Sequence, residues 1–155
     1  MRLSRIAQPP GIRSTKEGGY WENAKSKDGR IYLQDDFRAI RANVSLTDKG
    51  WAMFLAELNK AMTRAENGRW NFDTTRDKGI VCQTRRHEEV LEARLKTTVD
   101  ADGAHWLVRL YFTEPECEEG LLLSLCMGWK VPGQAGLDQQ DRHIDQAYER
   151  FCQWL

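Results

Sequence analysis

At 155 residues, with 41% hydrophobic and 30% charged side chains, the chain has the length and apolar content of one compact domain. Six Trp, five Phe and four Tyr argue against low-complexity disorder, and the longest apolar run, Leu121 to Met127 broken by Ser124, is far short of the roughly 20 residues that span a bilayer. Lys and Arg total 23 and so do Asp and Glu, a neutral sum that disfavours blanket binding to phosphate backbones.

The first residues, MRLSRIAQPP, carry charge without an apolar core of the secretory kind, so the expected location is the cytoplasm, with no membrane contact. Residues 1–30 hold seven Lys or Arg against three Asp or Glu, and are punctuated by Pro9-Pro10-Gly11, Gly18-Gly19 and Asp28-Gly29. They read as a basic, partly flexible arm preceding a single domain over 31–155. At the other end, residues 113–155 hold three basic against eight acidic side chains, so the chain is polarised.

Arg30-Ile31-Tyr32-Leu33-Gln34 has strand-like residues and predicts a first strand, followed by an apolar patch at Phe37, Ile40 and Val44. The clearest helix runs from Thr47 to Asn67: Thr47 is the N-cap, Asp48 sits in the first turn, and Gly68 supplies the stop. Within it Trp51, Phe54, Leu55, Leu58, Met62 and Ala65 fall at helical spacing and predict one buried face. From Arg69 to His87 the chain is polar and carries the basic cluster Arg76, Lys78, Arg85 and Arg86. Alternation over residues 90–96 then places Leu91, Ala93 and Leu95 on one face of a strand and Glu92, Arg94 and Lys96 on the other. Asp102-Gly103 is a hairpin signal, and the return over 104–113 sets Trp106, Val108, Leu110 and Phe112 opposite Leu107, Arg109 and Tyr111. The run Leu121 to Met127 suits a buried strand, Gly128 to Gly133 reads as a loop, and Asp138 or Asp141 caps a last helix with Ile144, Ala147, Tyr148, Phe151 and Leu155 on its apolar face. The expected fold is therefore α+β: an amphipathic helix packed on a three- to four-stranded antiparallel sheet, with a C-terminal helix.

Cys82, Cys117, Cys126 and Cys152 form no CxxC pair, which fits reduced thiols rather than a zinc ribbon or a redox motif. No cofactor and no metal are expected.

Over about residues 45–155 the chain resembles the RelE/ParE superfamily of bacterial and phage toxins, in particular its HigB-like, phage-derived branch. The resemblance is carried by Leu91-Glu92-Ala93-Arg94, by Arg109-Leu110-Tyr111-Phe112, by Leu121 running into Gly128-Trp129-Lys130, and by Ile144, Ala147 and Arg150 in the last helix. Two features depart from the family pattern: the Arg109–Tyr111 spacing is one residue short, and Val131 stands where a second Lys is usual. The resemblance implies a RelE-like fold and a toxin that cleaves mRNA on the ribosome without a metal, partnered by a cognate antitoxin. In such a reaction the 2′-hydroxyl attacks the adjacent phosphate, so the protein supplies cations for the phosphorane and groups for proton transfer. Arg94, Lys130 and Arg109 are the expected cations, and Tyr111, His87 or His143 the expected acid or base. Arg85, Arg86 and Lys96 would add phosphate contacts, and Trp129 would stack on an unpaired base. The bland alternatives are that Arg94 and Arg109 pair with Glu92 or Glu114 and that Tyr111 is core. The same scaffold also serves members that bind and inhibit a host protein without catalysis, and the acidic residues Glu114, Glu116, Glu118 and Glu119 suit that second class.

Overall fold

In the computed structural model, residues 18–70, 81–84, 86–95, 98–99, 103, 105–115, 117–130 and 134–155 are described. The elements run β1 (Tyr20–Asn23), α1 (Tyr32–Asn43), α2 (Asp48–Glu66), β2 (Val81–Gln83), β3 (Leu91–Arg94), β4 (Thr98–Val99), β5 (His105–Thr113), β6 (Leu121–Lys130) and α3 (Gln134–Trp154). The main sheet has the order β1-β6-β5-β3-β2, with short β4 added against β5. All its pairings are antiparallel except β1 on β6, which is parallel. The α+β class thus stands, but the sheet is mixed and has more strands than the three or four expected.

One additional strand, β1, comes from the segment that reads as a loose arm. Tyr20–Asn23 lies beside Leu121–Ser124, and Trp21 donates its indole N–H to the Met62 carbonyl at 2.9 Å while meeting Trp70 and Phe112 edge-on. Gly18 and Gly19 make this possible: a Cβ at either would run into the carbonyl oxygen of Glu66 or of Gly120. Of the basic arm over 1–30, residues 20–23 are therefore part of the sheet. The first strand expected at Arg30–Gln34 is instead the start of α1. Only Ile31 makes a bridge, to Lys25, because Leu33, Asp36 and Ile40 bury along one helical stripe and that periodicity outweighs the β propensity of Ile-Tyr-Leu.

Helix α2 follows its sequence signals closely. The Thr47 hydroxyl accepts from the Gly50 N–H at 3.0 Å, and Gly68 turns the chain at φ 69°. Its buried stripe is Phe54, Leu58 and Ala65, flanked by Trp51, Ala61 and Met62; Leu55, expected inside, is 36% exposed.

The sheet is covered on both faces. One core joins α1 and α2 to Leu91, Ala93, Val108, Leu110, Phe112, Leu122 and Met127; the other joins Tyr111, Leu121, Leu123, Leu125 and Cys126 to Ile144, Ala147 and Phe151 of α3. A register shift allows β6 to serve both. Tyr111 pairs with Cys126 while Phe112 pairs with Ser124, so Leu125 is an extra, bulged residue. Beyond this bulge β1 has ended, and a buried ion pair stands in for it. Asp36 of α1 accepts from the Met127 N–H at 2.9 Å, Arg150 of α3 donates to the Leu125 carbonyl at 2.8 Å, and the two side chains bind each other at 2.8 and 3.1 Å. Helix α3 begins at Gln134, ahead of the Asp138 or Asp141 cap expected, and β6 continues through Gly128-Trp129-Lys130, where the expectation is a loop.

Candidate functional site

The α3-facing side of the sheet collects most of the residues singled out by their chemistry. Arg94 in β3 is the register partner of Arg109 in β5, which in turn pairs with Gly128 in β6. In the next row Glu92 pairs with Tyr111 and Tyr111 with Cys126. Register partners share a face and stand about 4.5–5.5 Å apart at Cβ, so the two arginines are direct neighbours, an arrangement that like charges disfavour.

Among the described residues one carboxylate serves this pair, and it is bound to only one member. Arg109 Nε donates to Glu92 Oε1 at 2.8 Å, with the two side chains 13% and 5% exposed. Glu92 Oε2 accepts from the Gln140 amide of α3 at 2.6 Å, and the Gln140 oxygen accepts from Lys130 Nζ at 2.6 Å. Lys130, Gln140, Glu92 and Arg109 thus form one chain of hydrogen bonds from the end of β6 to the middle of β5. Arg94 is left outside it: its Nη2 reaches Cys82 Sγ at 3.6 Å, and its buried Nε has no hydrogen-bond partner among the described residues. A guanidinium in that state, beside a second one, has the chemistry to bind an anion.

Gly128 leaves the room above the arginine row in which His143 of α3 sits. A Cβ there would collide with the imidazole and crowd the Tyr111 ring. Burial pushes the His143 pKa below its ordinary value, which favours the neutral ring. Tyr111 is unsuited to proton transfer, being 1% exposed, with burial and the Glu92 charge together pushing its phenol far up. It is core, as befits a residue at the centre of a sheet covered on both faces.

His87 and Arg86 belong to a different constellation, in the turn before β3. Arg86 grips Asp145 of α3 through two 2.7 Å hydrogen bonds; His87 Nε2 lies 3.2 Å from the same carboxylate and its ring stacks on Tyr148 at 3.8 Å. No hydrogen bond joins them to the arginine row among the described residues, so His87 is not brought to the cations. Trp129 also departs from expectation. Because β6 runs on to Lys130, strand alternation turns Trp129 away from the Lys130 face; it packs against the α1–α2 core, with a tilted ring contact to His143 at 5.4 Å between centroids. Arg85 and Lys96 lie outside the described residues, as do Arg76 and Lys78.

Glu92, Gln140 and the Asp36–Arg150 pair carry structural weight that periodicity alone does not give them. The signal that existed was placement: Arg150 falls on the same helical face as Ala147 and Phe151, and a charge on a buried stripe requires a buried partner. Among the described residues no three His, Cys, Asp or Glu side chains gather to hold a metal ion, and no helix is long and apolar enough to cross a membrane. Comparison with protein-family models, curated proteins and solved structures finds no match, so what the site does rests on its geometry.

Proposed function

We propose that the chain is a toxin of the RelE/HigB type, a metal-independent endoribonuclease that cuts mRNA during translation in the cytoplasm and is held in check by a cognate antitoxin. One observation carries the reading: the three cations picked out by the resemblance, Arg94, Arg109 and Lys130, stand on one face of three adjoining strands, two of them directly opposed and one with an unused guanidinium N–H. In this reading the scissile phosphate bridges Arg94 and Arg109, which stabilise the charge that develops on its oxygens. His143, seated over Gly128 beside this row, takes the proton of the attacking 2′-hydroxyl in place of Tyr111 and His87.

Induction of the protein in a bacterial host, with mapping of new mRNA 5′ ends, tests this. Fresh ends inside translated codons are expected for the wild type, and none for Arg94→Ala, Lys130→Ala or His143→Ala variants that remain folded. Growth arrest without new ends, equally strong in those variants, refutes the nuclease and turns the search to a bound host protein. For that second reading the relevant surface is the exposed turn before β6, where Tyr20 donates to Glu118 at 2.6 Å beside Glu119.

A further inference from the structure

We infer that Glu92 is a resident anion: its carboxylate holds, against Arg109, the position that a phosphodiester takes when RNA binds, and so sets how tightly the site grips phosphate. The inference rests on the phosphate-binding reading of the arginine row and adds to it a competitor built into the chain.

Guanidinium groups bind carboxylate and phosphate oxygens with the same charge-assisted geometry, so one can replace the other at Arg109. In this structure Arg109 is committed to Glu92 at 2.8 Å, while Arg94, directly opposite, has no carboxylate partner among the described residues. Among the described residues, two facing arginines thus share one anion, which is bound to Arg109 alone. A phosphodiester, which offers two non-bridging oxygens, can face both at once, and Glu92 cannot do so while its second oxygen is held by Gln140.

Each oxygen of the Glu92 carboxylate is held by a donor at short distance, one by Arg109 and the other by Gln140. Displacing it frees the Gln140 amide and so loosens the contact of Gln140 with Lys130, which brings the third cation into the same event. Glu92 therefore acts as a threshold. A ligand whose phosphate reaches both arginines and the ammonium outcompetes it, and a weaker anion does not.

The test is calorimetric titration of the whole protein with inorganic phosphate, and competition by a single-stranded hexauridylate, for wild type, Glu92→Gln and the double variant Glu92→Gln/Arg94→Ala. Glutamine keeps the shape of Glu92 and removes its charge. The expected result is phosphate binding at least about tenfold tighter in Glu92→Gln than in wild type, displaced by the hexauridylate and lost in the double variant. If phosphate binds wild type and Glu92→Gln equally, in an Arg94-dependent way, Glu92 is no competitor and the inference falls while the phosphate site stands. If no protein binds phosphate or hexauridylate, the phosphate reading itself falls and takes the inference with it. Tighter phosphate binding that the hexauridylate cannot displace upholds the resident anion and refutes RNA as its rival. Should Glu92→Gln fail to fold, Glu92→Asp, which withdraws the carboxylate by one methylene, replaces it, with a smaller gain in affinity expected and no gain counting against the inference.

Discussion

Replacing Asp36 by Ala removes more than half of an ion pair. Asp36 and Arg150 have side chains only 10% and 9% exposed, so the variant leaves a guanidinium buried without its counter-charge, and breaking a buried pair in this way costs about 3–5 kcal/mol. For a chain of this size each kcal/mol lowers Tm by about 2–4 °C, which predicts a drop on the order of 6–20 °C. The sharper test is the double variant Asp36→Leu/Arg150→Met. Exchanging both members of a buried pair for apolar residues is often neutral or stabilising. Here it orphans the Met127 N–H and the Leu125 carbonyl, which the pair serves in place of the missing strand, at about 1–3 kcal/mol for each unsatisfied group. The double variant is therefore expected to stay well below wild type in urea unfolding followed by tryptophan fluorescence. Recovery to wild-type stability would refute the view that the pair replaces a strand.

Three further outcomes follow from the geometry. Arg94→Met removes one of two facing like charges and a guanidinium Nε with no partner among the described residues, so stability is expected to hold or to rise by up to about 1 kcal/mol while phosphate affinity is lost; a loss of stability beyond about 1 kcal/mol would contradict this. Gly128→Ala drives a methyl group into the His143 imidazole and the Tyr111 ring, and overpacking of this kind costs about 1–3 kcal/mol, measurable as an earlier urea midpoint with unchanged slope. His143 has a folded-state pKa below its value of 6.5 in the unfolded chain, so the unfolded chain binds the extra proton first. The stability due to keeping it neutral is complete above pH 6.5 and is lost as pH falls from there through the folded-state pKa; His143→Asn is expected to flatten that part of the stability–pH curve, and an unchanged curve would exclude His143 as its cause.

Helix α2 is legible because its signals are local: the Thr47 cap, the stripe through Phe54 and Leu58, and Gly68 all act within a few turns. Strands β3, β5 and β6 are legible from alternation and from a continuous apolar run. What periodicity does not supply is partnership across the chain. Tyr20–Asn23 is too short and too polar to announce itself, and it becomes a strand only because Leu121–Ser124 offers it an edge. Arg30–Gln34 has β-prone residues, yet the stripe that runs from Leu33 through Asp36 to Ile40 decides for helix. In the candidate site, alternation puts Glu92 and Arg94 on one face correctly, whereas the direct opposition of Arg94 to Arg109 is a matter of register, which no single strand contains. His87 and His143 are indistinguishable as isolated histidines; α3 seats one over the arginine row and the stack on Tyr148 holds the other elsewhere.

The parallel pairing of β1 with β6 also bears on the order in which the chain can acquire its shape. Asn23 meets Ser124, a partner 101 residues further along, so the strand is made long before the edge that receives it. At ribosomal rates of about 5–20 residues per second, that wait is on the order of 5–20 s. During it Trp21 has no Phe112 to lean on and the glycines at 18 and 19 have no Gly120 to approach. The Leu125 bulge and its Arg150 contact come later still, so the face bearing the arginines is closed by a helix that emerges after every strand of the sheet, and the nascent protein stays without its assembled site until translation of α3 is under way.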